Sequence, residues 1–228
     1  MSESEAGESE VIGYNKQMYG DPKKFAKRAP WDMGEPQPEV VDLVRSRAIR
    51  GEVLDIGCGT GEIVIYLASE GFSVTGLDAV PEAIQQAKER AAERGVTATF
   101  AVADATDLSA YADRFDTVVD SGLFHVLDAE QRRKYATTLH AACRPGGRVF
   151  VLAFSAEGRE VVKARMAAIG VPQQVTSRMS PLAPDDLRAA FGPLWEEESI
   201  RDSAIRVRFP GDASTSDLPA MFAVFRRP

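Results

Sequence analysis

Three glycines at alternate positions, Gly57, Gly59 and Gly61, stand in the stretch VLDIGCGTGE. Missing side chains there let a ligand approach the backbone and the N-terminus of a following helix. Asp78 lies 21 residues beyond Gly57, the spacing at which a carboxylate accepts both hydroxyls of an adenosine ribose. Together the two signals make a nucleoside site. A dinucleotide loop carries its third glycine one place later, where this chain has Glu62, and holds pyrophosphate on the helix end. Asp55 precedes the first glycine, and Asp104 and Asp120 close later strands. With Asp78 they form an expected rim of four acids that repels phosphate and suits a cation.

Two further residues could do chemistry. His125, in DSGLFHVLD, is a candidate proton acceptor, with a loop-fixing hydrogen-bond donor and a substrate-orienting group as the competing assignments. Cys58 sits inside the glycine loop; small size explains it, and no basic neighbour is visible that would lower its pKa for thiol chemistry. His140 falls within a helical stretch and reads as structural.

These groups need a scaffold that brings strand ends together. Beginning at Glu52, strand and helix alternate: EVLDIG, a helix over 60–70 with Ile63 and Leu67 inward, SVTGLD, a helix from Pro81 to Gly95 with Ile84, Ala87 and Ala91 on one face, then TATFAVAD. FDTVVDS, a helix over 129–143 and RVFVLAF continue the series, the last with the unbroken apolar character of a buried parallel strand. Five such steps predict a doubly wound α/β sheet. A helix starts at Pro38 with Val40, Val41 and Val44 as its buried stripe. After Phe154 the pattern changes to a helix over 157–169, a proline-containing loop over 171–183 and a short helix over 184–191. IRVRF then reads as an edge strand and MFAVF as a central one, an antiparallel pair that closes the sheet. Glu196 to Glu198 and Arg226 to Arg227 read as solvated charges.

The 228-residue length suits a single domain with its own core, and 44% hydrophobic and 27% charged residues are ordinary globular values. Residues 1–10, with four glutamates and three serines, read as a disordered acidic tail. The domain then covers 11–228, with lid segments near 11–36 and 155–185. A net charge of -7 with scattered Lys and Arg offers no stripe for a phosphate backbone, so nucleic acid is not expected as a partner. Two cysteines are too few for a disulfide framework, the acidic N-terminal stretch lacks the features of a signal peptide, and no apolar run is long enough to span a bilayer. A cytoplasmic protein without a membrane partner is the expectation; the oligomeric state stays open.

The motifs VLDIGCGTGE, TGLDAVPEAI, VADATDL, FDTVVDSGLFHVL and RPGGRVFVLAF, in order over about 51–154, resemble those of the class I S-adenosylmethionine-dependent methyltransferases. APWDMGEPQPEVV and LRAAFGPLWEEESI look like a narrower branch, similar to thiopurine, thiol and halide methyltransferases and to bacterial heterocyclic-toxin methyltransferases. The resemblance implies a Rossmann-like sheet of seven strands, mostly parallel with an antiparallel C-terminal strand. It implies S-adenosyl-L-methionine as cofactor, with S-adenosyl-L-homocysteine as product. Gly57, Cys58 and Gly59 would face its methionine part, Asp78 its ribose, and Ala79, Asp104 and Ala105 its adenine. The backbone around Asp120 would meet the amino group, and Trp31, in the PWDxG segment, would close over the cofactor. Tyr14, Tyr19 and Phe124 are candidate acceptor-site groups, packing being the competing assignment for the tyrosines.

Methyl transfer from a sulfonium is an in-line displacement that needs neither metal nor covalent intermediate, so alignment can supply most of the acceleration. Arsenic methylation calls for a set of cysteines that two distant ones do not provide, and the Pro-Pro-aromatic motif used on amino acceptors is absent where DSGL stands. A small-molecule acceptor, a thiol, phenol or heterocycle methylated at S, O or N, is therefore expected. A cofactor-binding regulatory protein without catalysis and an NAD-dependent oxidoreductase are the competing functions.

Overall fold

The protein was analysed as a computed structural model that describes residues 30–168 and 181–228. Tyr14, Tyr19, the acidic tail and most of the expected lid segment over 11–36 lie outside these residues, as does the center of the other lid segment.

Short apolar runs between glycine and proline breakers form the strands. They are β1 (Glu52–Ile56), β2 (Ser73–Asp78), β3 (Thr99–Val102), β4 (Phe115–Ser121), β5 (Cys143–Phe154), β6 (Glu196–Val207) and β7 (Ser216–Arg226). They make one sheet in the order β3-β2-β1-β4-β5-β7-β6. β1 through β5 pair in parallel, whereas β7 runs antiparallel to both β5 and β6. Only β7 is therefore reversed, and β6 ends at the same carboxyl edge as β1. This is the seven-stranded, doubly wound α/β sheet expected, with the order reversing between β1 and β4. Ligands of open α/β sheets bind outside the carboxyl ends at such a switch point.

The helices α1 (Pro38–Arg45), α2 (Glu62–Ser69), α3 (Pro81–Glu93), α4 (Ala129–Ala142), α5 (Ala156–Ala168) and α6 (Pro184–Phe191) cover the two faces. One core layer packs α1, α2, α3 and α5 on the sheet through Val40, Val64, Leu67, Ala87 and Val162. The other packs α4 and α6 through Tyr135, Leu139, Leu187 and Phe191. Burial of a Leu- or Phe-sized side chain contributes roughly 1.5–3 kcal/mol, so both layers hold the strand ends in register. Some inward positions differ from the expected stripes. Leu43 is buried in α1 while Val41 and Val44 are partly covered, and Val64 takes the deep position in α2 beside a half-buried Ile63.

Two strands are longer than expected. β5 starts at Cys143, where its partner position jumps from Cys143 to Arg148 as β4 advances from Phe115 to Thr117. The Pro-Gly-Gly insert is thus carried as an irregularity within the strand. β6 includes Glu196 to Glu198, which are not simply solvated. Arg226 pairs with Glu196, Arg188 with Glu197 at 2.9 Å and Arg148 with Glu198 at 2.8 Å. Arg227 likewise meets Asp113 at 2.5 Å. Opposite charges on facing positions let an acidic run extend an edge strand, although such exposed pairs stabilise only slightly. The β6 edge is also covered: the Gln37 carboxamide donates to Arg206 O at 2.8 Å and accepts from Arg206 N at 2.9 Å.

Candidate active site

The glycine loop hangs from the end of β2. Gly57 N and Cys58 N both donate to Leu77 O, at 2.7 and 3.0 Å, and Gly61 N closes back on Cys58 O at 2.9 Å. Gly57, Gly59 and Gly61 all have positive φ, at 73°, 51° and 84°, a region that side chains make unfavourable. At Gly57 space is limiting as well, since a Cβ would stand 2.9 Å from the Leu123 Cβ. The segment after β4 therefore packs directly over the loop. Cys58 is buried, and that burial, reinforced by Asp55 and Asp78, pushes its thiol well above the usual range. A protonated thiol is a poor nucleophile, so small size accounts for this residue.

The four acids do not form one rim. Asp78 is half-buried at the end of β2, where its Oδ2 accepts from Gly59 N at 2.8 Å and its Oδ1 from Val80 N at 2.9 Å. Asp104 is exposed and accepts from Thr106 N and Oγ1, both at 2.8 Å, in a turn that leaves Ala105 partly accessible. Asp55 and Asp120 lie beneath the edge, at 2% and 0% exposure. Asp120 has turned inward: Oδ1 accepts from Leu123 N at 2.9 Å and Phe124 N at 3.3 Å, and Oδ2 from the Tyr135 hydroxyl at 2.7 Å. Its carboxylate thus shapes the 122–126 turn from below, and only its backbone is left for the edge. Burial pushes Asp120 up to about 6 despite those donors. Asp55 is raised well above the carboxylate range by burial and then by the charges of Asp120 and Asp78.

Residues 53–147 match the family model of a methyltransferase domain. A 2-heptyl-1-hydroxyquinolin-4(1H)-one methyltransferase of Mycobacteroides abscessus is 37% identical over 90% of this chain and 84% of its own length. The chain belongs to the S-adenosylmethionine-dependent methyltransferases. A solved structure from work on conversion of a disulfide bond into a thioacetal group during echinomycin biosynthesis superposes with a TM-score of 0.88. It is 42% identical and covers 95% of this chain and 92% of the other. A SAM-dependent methyltransferase from Anabaena variabilis shares the fold at a TM-score of 0.77 and 18% identity, covering 100% of this chain and 99% of the other.

The methyltransferase uses S-adenosylmethionine, and its carboxyl edge fits that cation. The Asp55 Oδ2 is buried without a hydrogen-bond partner, and a group left in that state favours a donor or positive charge nearby. The left-handed glycines leave the backbone of the loop bare beside it. When bound, the cofactor supplies an electrophilic methyl on a sulfonium; the acids of the edge are the groups that would favour its charge, and the glycine loop the segment that would hold it.

His125 of the methyltransferase is 6% exposed, and its Nδ1 accepts from Phe154 N at 3.3 Å. Its ring lies 4.8 Å from that of Phe154. Burial, with Arg132 next, lowers its pKa to about 3, so the imidazole is neutral with its proton on Nε2. That is the loop-fixing arrangement, made with an acceptor nitrogen in place of the expected donor, and it leaves little basicity for proton removal. Phe124, expected near the acceptor, is instead fully buried between Tyr135 and Phe191, at ring separations of 6.1 and 5.8 Å. An apolar side chain beside an apolar core layer is drawn into it.

Sequence reading missed a charged cluster beside the loop. Arg90 on α3 donates to both Asp32 oxygens at 2.8 and 2.6 Å, to Thr60 Oγ1 at 2.8 Å and to Glu62 Oε1 at 3.1 Å. Arg94 adds a second contact to Glu62 at 2.8 Å. Trp31, the neighbour of Asp32, is 41% exposed. The available signal was Glu62 at the place of a dinucleotide glycine and the i, i+4 spacing of Arg90 and Arg94, which puts both cations on one helix face.

Proposed function

We propose that this methyltransferase alkylates a small heterocyclic or sulfur-bearing acceptor at an oxygen or sulfur that is nucleophilic before it binds. The observation that carries this reading is the His125 geometry: the imidazole accepts the Phe154 amide, is buried and has its pKa lowered to about 3. The carboxylates below the edge are buried, and both Asp120 oxygens are already taken by Leu123 N, Phe124 N and the Tyr135 hydroxyl, so neither group is placed to reach an acceptor's proton. An acceptor that ionises on its own, such as an N-hydroxy heterocycle or a thiol with pKa near 8.5, needs no strong base, whereas a phenol near 10 does. The relative at 37% identity is named for a 1-hydroxyquinolin-4(1H)-one acceptor, which is of this kind.

In this reading Gly57, Cys58 and Gly59 receive the methionine part of the cofactor, Asp78 the ribose, and Ala79, Asp104 and Ala105 the adenine. The orphaned Asp55 oxygen and the backbone at Asp120 favour its ammonium group, and Trp31 covers it. An anionic acceptor meeting a sulfonium removes charge in the transition state, which a site of low polarity favours. The expected lid segments near 11–36 and 155–185 lie partly outside the described residues, and the acceptor in this reading is a small molecule, with neither nucleic acid nor a membrane as partner. Among the described residues no helix is long and apolar enough to cross a membrane.

A panel of 1-hydroxyquinolin-4-ones, thiols and phenols assayed for S-adenosylhomocysteine release tests the proposal. The rate on the first two should rise through the acceptor's own pKa. Fast turnover of phenols, limited by an enzyme group that titrates near 6.5, would refute it. No release on any acceptor, with S-adenosylhomocysteine still bound tightly, would point to the non-catalytic binding protein.

A further inference from the structure

The segment Pro30 to Gln37 crosses the carboxyl edge between two anchors. At one side Arg208 N, just past the end of β6, donates to Pro30 O at 2.8 Å, and Gln37 pairs with the Arg206 backbone. At the other, Asp32 is 8% exposed and held by both terminal nitrogens of Arg90. Because only β7 is reversed in the sheet, β6 finishes at the edge where the glycine loop begins. The strap between the anchors therefore lies over the cofactor end of the sheet, and the residue between Pro30 and Asp32 is Trp31.

Arg90 touches more than the strap. Its Nη1 also donates to Thr60, inside the glycine loop, and to Glu62, the first residue of α2. One guanidinium thus joins the loop that receives the cofactor to the segment that carries Trp31. The geometry is a planar fork on the Asp32 carboxylate with additional acceptors on one nitrogen, which Lys cannot reproduce. Glu62 is in turn fixed from its other oxygen by Arg94, so the cluster is braced at the start of α2 as well. The cluster thus ties the glycine loop to Asp32, the residue directly after the tryptophan.

We propose that Arg90 is a positioning residue of the cofactor site: by clamping Asp32 to Thr60 and Glu62 it sets Trp31 against the sulfonium nucleoside bound on the glycine loop. The inference rests on the reading that Trp31 covers the cofactor. Displacement of a positioned group by about 1 Å is enough to lower a rate by roughly 100-fold, so loss of the clamp should be felt in cofactor affinity and in Trp31 itself.

The chain has two tryptophans, and only Trp31 is open to an ionic quencher, Trp195 being 6% exposed. Iodide quenching with and without S-adenosylhomocysteine therefore reads Trp31, and calorimetry reads the affinity. In the wild-type protein S-adenosylhomocysteine should shield Trp31 from iodide. Arg90→Met should weaken its binding about 10- to 100-fold and abolish the shielding even at saturation, with Arg90→Lys between the two. Asp32→Asn should reproduce the Arg90→Met phenotype, and the double variant should be no worse than either, as expected for one shared interaction. If Arg90→Met does not fold, Arg90→Lys and Asp32→Asn carry the same comparison. A lower melting temperature with unchanged affinity and intact shielding would overturn the proposal, as would additive effects of the two substitutions. Trp31→Ala separates the layers: if it binds S-adenosylhomocysteine like the wild type, the assignment of Trp31 itself is lost. If it binds weakly while Arg90→Met does not, only the clamp is lost.

Discussion

Replacement of Asp120 by Asn should stabilise the protein above neutral pH and leave it nearly unchanged in acid. The carboxylate is fully buried, and its pKa rises from the usual 3.8 to about 6 with burial as the largest cause. A folded-state pKa above the unfolded one means that the group's contribution to stability is fully present below about pH 3.8 and is lost as pH rises through about 6. At about 1.4 kcal/mol per tenfold change in proton affinity, that loss is roughly 3 kcal/mol at pH 8. Asn resembles the protonated acid: its Oδ1 can still accept from Leu123 N and Phe124 N, and its amide can donate to the Tyr135 hydroxyl oxygen. Urea unfolding of Asp120→Asn and wild type at pH 4, 6 and 8 should therefore show a gap that opens with pH toward about 3 kcal/mol in favour of Asn. His125 titrates in the opposite sense over part of this range, but it is present in both proteins and cancels. A variant less stable than wild type at pH 8, with a gap that shrinks in acid, would refute the reasoning. It would mean that the Tyr135 hydroxyl and the turn amides outweigh the desolvation of the charge.

Other outcomes follow from the same geometry. Gly57→Ala should lower stability by about 1–2 kcal/mol from its left-handed backbone alone, with the Leu123 contact at 2.9 Å adding to it. Thermal unfolding measures the first, and binding of S-adenosylhomocysteine should weaken at least tenfold, roughly 1.4 kcal/mol. His125→Ala should leave cofactor affinity nearly unchanged and cost about 1–3 kcal/mol by leaving the Phe154 amide unpaired. Because its folded pKa is lowered to about 3, stability due to the neutral imidazole is present above about 6.5 and is lost as pH falls below it. A pH–rate profile that changes its midpoint near 6.5 in the variant would show that His125 acts as a base after all. Binding of S-adenosylmethionine near pH 6 should release protons, since a cation beside carboxyls with raised pKa favours their ionised forms. Calorimetry in buffers of differing ionisation enthalpy reads the proton count, and net uptake would contradict this electrostatic account.

Much of the doubly wound half was legible because its signals are local. Glycine and proline punctuate β1, β2 and α3, and the Ile84, Ala87 and Ala91 stripe repeats at helical spacing. The central place of MFAVF was legible from apolar residues on both faces. Asp120 shows where that ends. In a parallel strand covered by helices on both faces, alternation does not reveal which layer an acid enters, and it was Tyr135 from α4 that drew this carboxylate inward. The first residues of β6 were hidden for a related reason: an acidic run has poor strand character until Arg148, Arg188 and Arg226 are placed around it. Asp32 and Arg90 stand 58 residues apart, and a contact made by tertiary packing leaves no spacing signal in the chain.

The reversed strand has a consequence for biosynthesis. β6 is translated before β7, yet it joins the sheet through β7, which occupies the place between β5 and β6. A nascent chain interrupted before Ser216 would present the Val149–Phe154 stretch of β5 as an open ladder of apolar residues, with β6 unattached. Such an edge invites pairing with a second chain. Premature stops in the final strand should accordingly yield insoluble protein, although every motif of the glycine loop has already been made.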